Sequence, residues 1–297
     1  MELLANQVVE GFISGMHKSP FHGFSAEFAE HKVYNVGEST KHIDWKLFAK
    51  TDRLYAKRFE EETNLRCHII IDNSSSMHYP KLKENQNFFE NKIGFSVLAS
   101  AVLMNLLKKQ RDAIGLSVFS DQYEYYAPEK GSDRHHRMIL NALEGLLKKP
   151  VNHKMTHTTT FLHQIAEKIH RRSMIILFTD MFQSGSNAVQ DEALFSALQH
   201  LKHNKHKVVL FHVIDAKTER IFDFDNAPRK FIDVETSEEV AVFADNVKEE
   251  YEKEVEKYFK KLALTCSQNR IKYIPVSVEE SFEKIMTTYL VEKQNFG

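Results

Sequence analysis

Polar and hydrophobic positions along the chain fall into two alternating kinds of block. Runs of consecutive branched apolar residues occur at Arg66 to Asp72, Asp112 to Phe119, Ser173 to Thr179, Lys207 to Ile214 and Ile271 to Val278. A run without strict alternation is the pattern of a strand buried on both faces. Between the runs, apolar residues recur at helical spacing. They predict helices from about Asn85 to Gln110 (Phe89, Ile93, Val97, Ala101, Leu107), at Arg134 to Lys148, up to Ile169, at Glu192 to His203, at Asp245 to Gln268 and from Ser281 to about Val291. The Asp245 helix carries one stripe of Val247, Tyr251, Val255, Tyr258 and Leu262 over a charged, solvated face. Strands alternating with helices of this length predict an α/β fold with a doubly wound, mostly parallel sheet. The run Gln122 to Tyr126 follows Phe119 so closely that it predicts a hairpin and one antiparallel edge strand.

From Met1 to about Thr63 the pattern is irregular, with a short amphipathic opening and glycines at Gly23 and Gly37. Phe21, Phe24, Phe28, Tyr34, Ile43, Trp45 and Phe48 supply apolar surface without an element long enough to fold alone. Residues 1–63 are therefore expected to pack as a segment on a main domain of 64–297. Trp45, the only tryptophan, is expected to anchor it in a core.

Charge and composition narrow the function. The 297 residues, 42% hydrophobic, suffice for one large core. A net charge of −1 from 40 basic and 41 acidic residues offers no basic field for nucleic acid or an anionic membrane surface. Cys67 and Cys266 are too few and too far apart for a disulfide framework or thiolate metal site, and are expected as buried free thiols. The longest apolar run, Ser96 to Leu107, is shorter than the roughly 20 residues a membrane span requires and predicts a core helix. The start Met1-Glu2-Leu3-Leu4 lacks a basic n-region. The expectation is a soluble cytoplasmic protein without a membrane span.

Candidate chemistry lies where two buried runs stop at carboxylates, Asp72 and Asp180. Carboxyl ends of parallel strands share one edge of a sheet, so the two acids can meet across more than a hundred positions. Asp72-Asn73-Ser74-Ser75-Ser76 could be only a polar turn capping the next helix. In an extended turn, however, Asp72, Ser74 and Ser76 face one point while Asn73 and Ser75 face away. A few carboxylates with several neutral hydroxyls, including those of Thr156, Thr158, Thr159 and Thr160, form a hard-oxygen ligand set for Mg²⁺ or Mn²⁺. Sixteen histidines also raise a zinc site. His200, His203 and His206 have roughly helical spacing but no acid or thiolate at ligand spacing, and are expected to be solvated. His153, His157 and His163 cluster near the threonines, where His157 and His163 could border a metal site without binding the metal.

The D-x-S-x-S run with Asp180 resembles the metal-ion-dependent adhesion site of von Willebrand factor type A domains. The resemblance implies a divalent cation, Mg²⁺ first and Mn²⁺ or Ca²⁺ after it, held by Asp72, Ser74, Ser76, a threonine and Asp180. Thr160 is assigned as the threonine because Phe161-Leu162 would then begin the helix. Lys32-Val33-Tyr34, Gly37-Glu38, His42-Ile43-Asp44-Trp45, Ala49-Lys50 and Phe59-Glu60-Glu61-Glu62 resemble the lead-in of the bacterial family catalogued as domain of unknown function 58. Gly115-Leu116, Phe119-Ser120-Asp121, Asp233-Val234-Glu235-Thr236 and Tyr289-Leu290 fit it too. Lys32 departs from it, standing where such sequences carry Arg.

Two functions compete. The first is a non-catalytic, metal-dependent module that captures a partner's Asp or Glu. The family resemblance implies a MoxR-type AAA+ ATPase as partner, in assembly or activation of a client protein. The second is an Mg²⁺-dependent phosphatase of the haloacid dehalogenase type, which would place a second acid where Ser74 stands. No G-x-S-x-G, G-x-x-x-x-G-K-[ST] or G-x-G-x-x-G pattern occurs in the chain, so the expectation is not an enzyme.

Overall fold

The computed structural model describes residues 4–8, 10, 28–34, 43–59, 65–82, 86–148, 158–181, 188–225, 227–233 and 239–294. Gly37-Glu38, His42, Glu60 to Glu62 and Val234 to Thr236 lie outside them. The residues fall into two compact units, one drawn from Met1–Pro20 and Leu65–Gly297, the other from Phe21–Asn64.

In the smaller unit, strand β1 (Phe28–Val33) pairs antiparallel with β2 (Tyr55–Phe59), and helix α1 (Trp45–Thr51) comes between them in sequence. The segment read as irregular thus carries a short ribbon and a helix. Asp44 caps α1, its Oδ1 accepting the Lys46 amide at 3.0 Å and the Leu47 amide at 3.1 Å. Trp45 does not anchor a core. As the first residue after the cap it is 62% exposed, touching Phe48 edge-to-face.

The larger unit is built on a sheet of β3 (Arg66–Asp72), β4 (Ala113–Phe119), β5 (Tyr123–Lys130), β6 (Met174–Thr179) and β7 (Lys207–Ile214). After a separate antiparallel ribbon, β8 (Pro228–Ile232) with β9 (Glu239–Phe243), strand β10 (Lys272–Ser277) completes it. Spatial order is β10-β7-β6-β3-β4-β5; every neighbouring pair is parallel except β4 with β5. This is the doubly wound sheet with one antiparallel edge strand expected for a type A-like fold. Counted along the chain the order is third, second, first, fourth, fifth, sixth, which puts the topological switch point between β3 and β6.

Helices α2 (Lys92–Lys109), α3 (Asp133–Lys148), α4 (Thr158–Lys168), α5 (Ala188–His203), α6 (Ala244–Gln268) and α7 (Phe282–Gln294) accompany the sheet. Helix α2 is buried at every residue from Lys92 to Leu107, as an all-round apolar helix must be. It starts later than the pattern predicted. Asn91 accepts the Gly94 amide at 2.9 Å, and Asn87 with Glu90 closes a separate 3-10 turn over Phe88–Glu90, so two caps divide the expected helix. Near the chain start, Ala5 is buried and Asn6 Oδ1 accepts Asn105 Nδ2 at 3.2 Å.

The core on either side of the sheet is fastened by ring pairs. Phe119 stacks on Phe161 at 4.1 Å and Phe178 on Phe211 at 4.8 Å, each such contact contributing about 0.5–1.5 kcal/mol beyond area burial. Cys67 and Cys266 are buried free thiols. Among the described residues, no helix is long and apolar enough to cross a membrane.

Candidate metal centre

β3 and β6 are adjacent, so their carboxyl ends deliver Asp72, Thr179 and Asp180 to one place. Asp72 is fully buried. Its Oδ1 accepts the Ser74 amide at 2.9 Å, the turn that bends the chain out of β3, and its Oδ2 accepts the Thr179 hydroxyl at 2.8 Å. The hydroxyls of Ser74 and Ser76 stand 3.1 Å apart. Two oxygens bound at right angles to one Mg²⁺ at 2.0–2.1 Å would be about 3 Å apart, so this pair fits the edge of a small octahedral ion. Asn73 faces away as the alternation predicts: its Nδ2 donates to Glu124 Oε2 at 2.9 Å, and its Oδ1 accepts His78 Nε2 at 2.9 Å.

Among the described residues no basic side chain bonds to Asp72. Burial and the Asp180 charge push its carboxyl up to about 7, against the opposing hydrogen bonds from Ser74 and Thr179. A cation placed beside it would favour the ionised carboxylate. No three His, Cys, Asp or Glu side chains gather as ligands among the described residues, so a cation here would depend on the hydroxyls.

Asp180 is buried beyond β6, and the backbone there is strained: Met181, next in the chain, has φ 56°. The Thr179 hydroxyl accepts the Met181 amide at 3.1 Å and Tyr258 donates to the Met181 carbonyl at 2.6 Å, which holds the bend. Sequence reasoning missed the partner of Asp180. Lys92, wholly buried at the first residue of α2, donates from Nζ to Asp180 Oδ2 at 2.8 Å and to Glu219 Oε1. Burial alone would lower the ammonium, but Asp180 and Glu219 outweigh it and hold it above the ordinary lysine value. Glu219 lies in a π turn, Ala216–Arg220, where its Oε2 accepts the Asp215 amide at 2.8 Å and its carbonyl accepts Tyr251 at 3.0 Å. Three carboxyl groups, of Asp72, Asp180 and Glu219, thus gather around one ammonium, an acidic excess that a divalent cation would offset. A signal for Lys92 existed: it is the only charged side chain from Lys92 to Leu107. Glu219, in a charged stretch, carried none.

The threonine assignment changes in its premise. Helix α4 begins at Thr158, not Phe161, so Thr160 lies within its first turn, where it is exposed, while Thr158 is buried. Threonine tolerates a helix start because its hydroxyl can serve the unpaired amides there. Thr156, His153 and His157 lie outside the described residues. His163 and His200 hydrogen-bond to each other at 2.9 Å, with Glu167 2.8 Å from His200. His206 is not solvated as expected: it is buried, its Nδ1 accepting the Ser173 amide at 3.2 Å.

A second polar chain bears on the enzyme question. Ser117 donates to His68 Nε2 at 2.7 Å and His68 Nδ1 to Glu129 at 2.6 Å, the order of an acyl-transfer triad. All three side chains are buried, and a Cβ on Gly115 would meet His68 Nδ1 at 2.5 Å. This is a packed polar network of β3, β4 and β5 that leaves no room for an acyl substrate at Ser117. The phosphatase alternative finds no support either: the side chain two residues after Asp72 is a hydroxyl paired with Ser76.

His212 in β7 supports the site from below. Its Nε2 donates to the Asp180 carbonyl at 2.8 Å and its Nδ1 accepts the Tyr273 hydroxyl at 2.7 Å, a tautomer its neighbours dictate. Burial lowers its pKa to about 4. An unfolded histidine titrates near 6.5, so between these values the unfolded state binds the extra proton. His212 thus contributes stability above about pH 6.5 that is lost as pH falls toward 4, roughly 3 kcal/mol in all. Asp72 titrates in the opposite sense over the same range, so the loss is read from the difference between wild type and His212→Phe in denaturant unfolding, which is expected to shift against wild type as pH falls from 7 to 4. A variant whose stability falls just as steeply would assign the loss elsewhere.

Similarity to known proteins is remote in sequence. An uncharacterised protein of Mycobacterium bovis is 18% identical over 217 residues, covering 73% of this chain and 64% of the relative. The chain therefore spans less than two thirds of that relative's length. An aerotolerance-related membrane protein of Bacteroides fragilis, solved with multiple mutations to serines, is 15% identical over 79% of this chain and 100% of its own, at a TM-score of 0.46. The VWA domain of SpRpn10 is 13% identical over 78% of this chain and 95% of its own, at a TM-score of 0.44. The family described as protein of unknown function DUF58 has a model that matches residues 30–260, the greater part of the chain, and it is to this family that the protein belongs.

Proposed function

We propose that this chain is a non-catalytic binding module in which a divalent cation, Mg²⁺ before Mn²⁺ or Ca²⁺, presents a site for a carboxylate of a partner protein. The observation that carries the reading is the Ser74–Ser76 hydroxyl pair beside a buried Asp72 that has no basic partner among the described residues. Asp72, Ser74, Ser76 and Asp180 would hold the ion, with Thr158 preferred to Thr160 as the threonine because it is the buried one. The ion, when bound, supplies a Lewis-acidic position for an outside Asp or Glu. The chain's own groups orient it: Thr179 and the Ser74 amide fix both oxygens of Asp72, and Lys92 fixes one oxygen of Asp180. The family resemblance makes a MoxR-type AAA+ ATPase, or the client it serves, the partner to test first.

Mg²⁺ dehydrates reluctantly and keeps several waters, so few protein ligands hold it weakly. A partner carboxylate replacing a water would strengthen the ion's binding, and the two affinities must rise by the same factor. Affinity of the full chain for a MoxR-type ATPase, measured across a magnesium titration, is expected to rise with the ion. It should vanish in chelator, in Asp72→Ala and in Ser74→Ala. Affinity that is flat with magnesium and unchanged in Asp72→Ala would overturn the reading.

A further inference from the structure

Resting on that reading, we infer that Lys92 is a positioning residue that sets how tightly the Asp72–Asp180 site holds a divalent cation, keeping the affinity low. A buried ammonium is costly, and among the described residues this one is offset by Asp180 and Glu219. Every gain it draws from Asp180 is taken from the carboxylate assigned to the ion. Asp180 Oδ2 is committed to Lys92, and the ammonium cancels much of the field that Asp180 would direct at a second cation. Glu219 works the other way. It shares the ammonium and so loosens the hold of Lys92 on Asp180. Lys92 and Glu219 together tune the strength of Asp180 as a ligand, and a weakly held ion is left in need of an outside carboxylate.

The two arms predict opposite shifts. In the full chain, Lys92→Met takes the ammonium away from Asp180 and is expected to tighten Mn²⁺ binding by about ten-fold or more, as removal of a neighbouring charge commonly does. Glu219→Gln leaves Lys92 to Asp180 alone and is expected to weaken it. Both variants should melt below wild type when metal-free, and Mn²⁺ should restore Lys92→Met by the larger margin. Calorimetric Mn²⁺ titrations and melting curves of wild type, both variants and Asp72→Ala decide the matter.

Wild-type affinity in both variants, with binding still lost in Asp72→Ala, would overturn the inference and leave the metal reading standing. No binding to wild type but clear binding to Lys92→Met would uphold the inference and overturn metal-dependent capture by the native chain. No binding in any form would remove both. If Lys92→Met fails to fold, Glu219→Gln decides alone: binding as tight as wild type or tighter overturns the inference.

Discussion

Asp72→Asn is expected to abolish divalent-cation binding and, in the same protein, to raise the melting temperature of the metal-free form at alkaline pH. The two effects have one cause. Asp72 is buried with no basic partner among the described residues, and its carboxyl is pushed up to about 7 by burial and then by Asp180. In the unfolded chain it titrates near 3.9. Between these values the folded state binds the extra proton, so the stability it contributes is complete below about pH 4 and is lost as pH rises through 7. Asparagine keeps the shape of the protonated acid and never ionises. It can still accept the Ser74 amide and reach the Thr179 hydroxyl. Melting in chelator should therefore favour the variant by on the order of a few kcal/mol at about pH 8 and by little at about pH 4. An Mn²⁺ titration should show no binding. A variant that binds Mn²⁺ like wild type would remove Asp72 from the site, and a stability difference independent of pH would remove the charge argument.

Gly94→Ala is expected to produce the largest stability loss of any single methyl addition to α2. A Cβ at this position would stand 1.7 Å from the Phe88 carbonyl oxygen and 2.8 Å from Asn91 Oδ1. The first is backbone, held in its 3-10 turn by the Asn87–Glu90 capping box. The turn and the helix must therefore separate, and a loss of about 3 kcal/mol or more follows from such overpacking. Two residues earlier in the same turn of helix is Lys92, so the shift also strains its bond to Asp180. Gly145 in α3 is the internal control. Nothing lies within 4 Å of the Cβ it would carry, and Gly145→Ala should stabilise by about 0.5–1 kcal/mol through helix propensity. Denaturant unfolding of both variants tests the contrast, and equal midpoints would show that α2 and its turn part without cost.

What the sequence made legible was whatever periodicity and strand-end chemistry encode. Strands β3 and β7 have the bounds read from their apolar runs, and the antiparallel edge of β4 and β5 followed from the short gap after Phe119. The convergence of Asp72 with the end of β6 followed from topology alone. The ribbon of β8 and β9 did not, because Pro228, Arg229 and Lys230 dilute its apolar signal and it pairs apart from the main sheet. Trp45 misled because residue type predicts burial only on average, while the Asp44 cap decides where this ring goes. Lys92 and Glu219 are 127 positions apart and meet only in the folded chain. A lone charge in an apolar helix signals that a partner exists, but no local pattern says which.

The ion pair of Lys92 also bears on the order of events during synthesis. Helix α2 is complete once Lys109 is made, yet its first residue meets its ion-pair partners only once Asp180 and Glu219 have both been translated and brought to the sheet edge. An ammonium buried before then would carry the full cost of leaving water. The apolar remainder of α2 has no such restraint and can pack on β3 and β4 as soon as they pair. A nascent chain is therefore expected to keep the charged end of its central helix wet while the other end is dry, until Glu219 has left the ribosome.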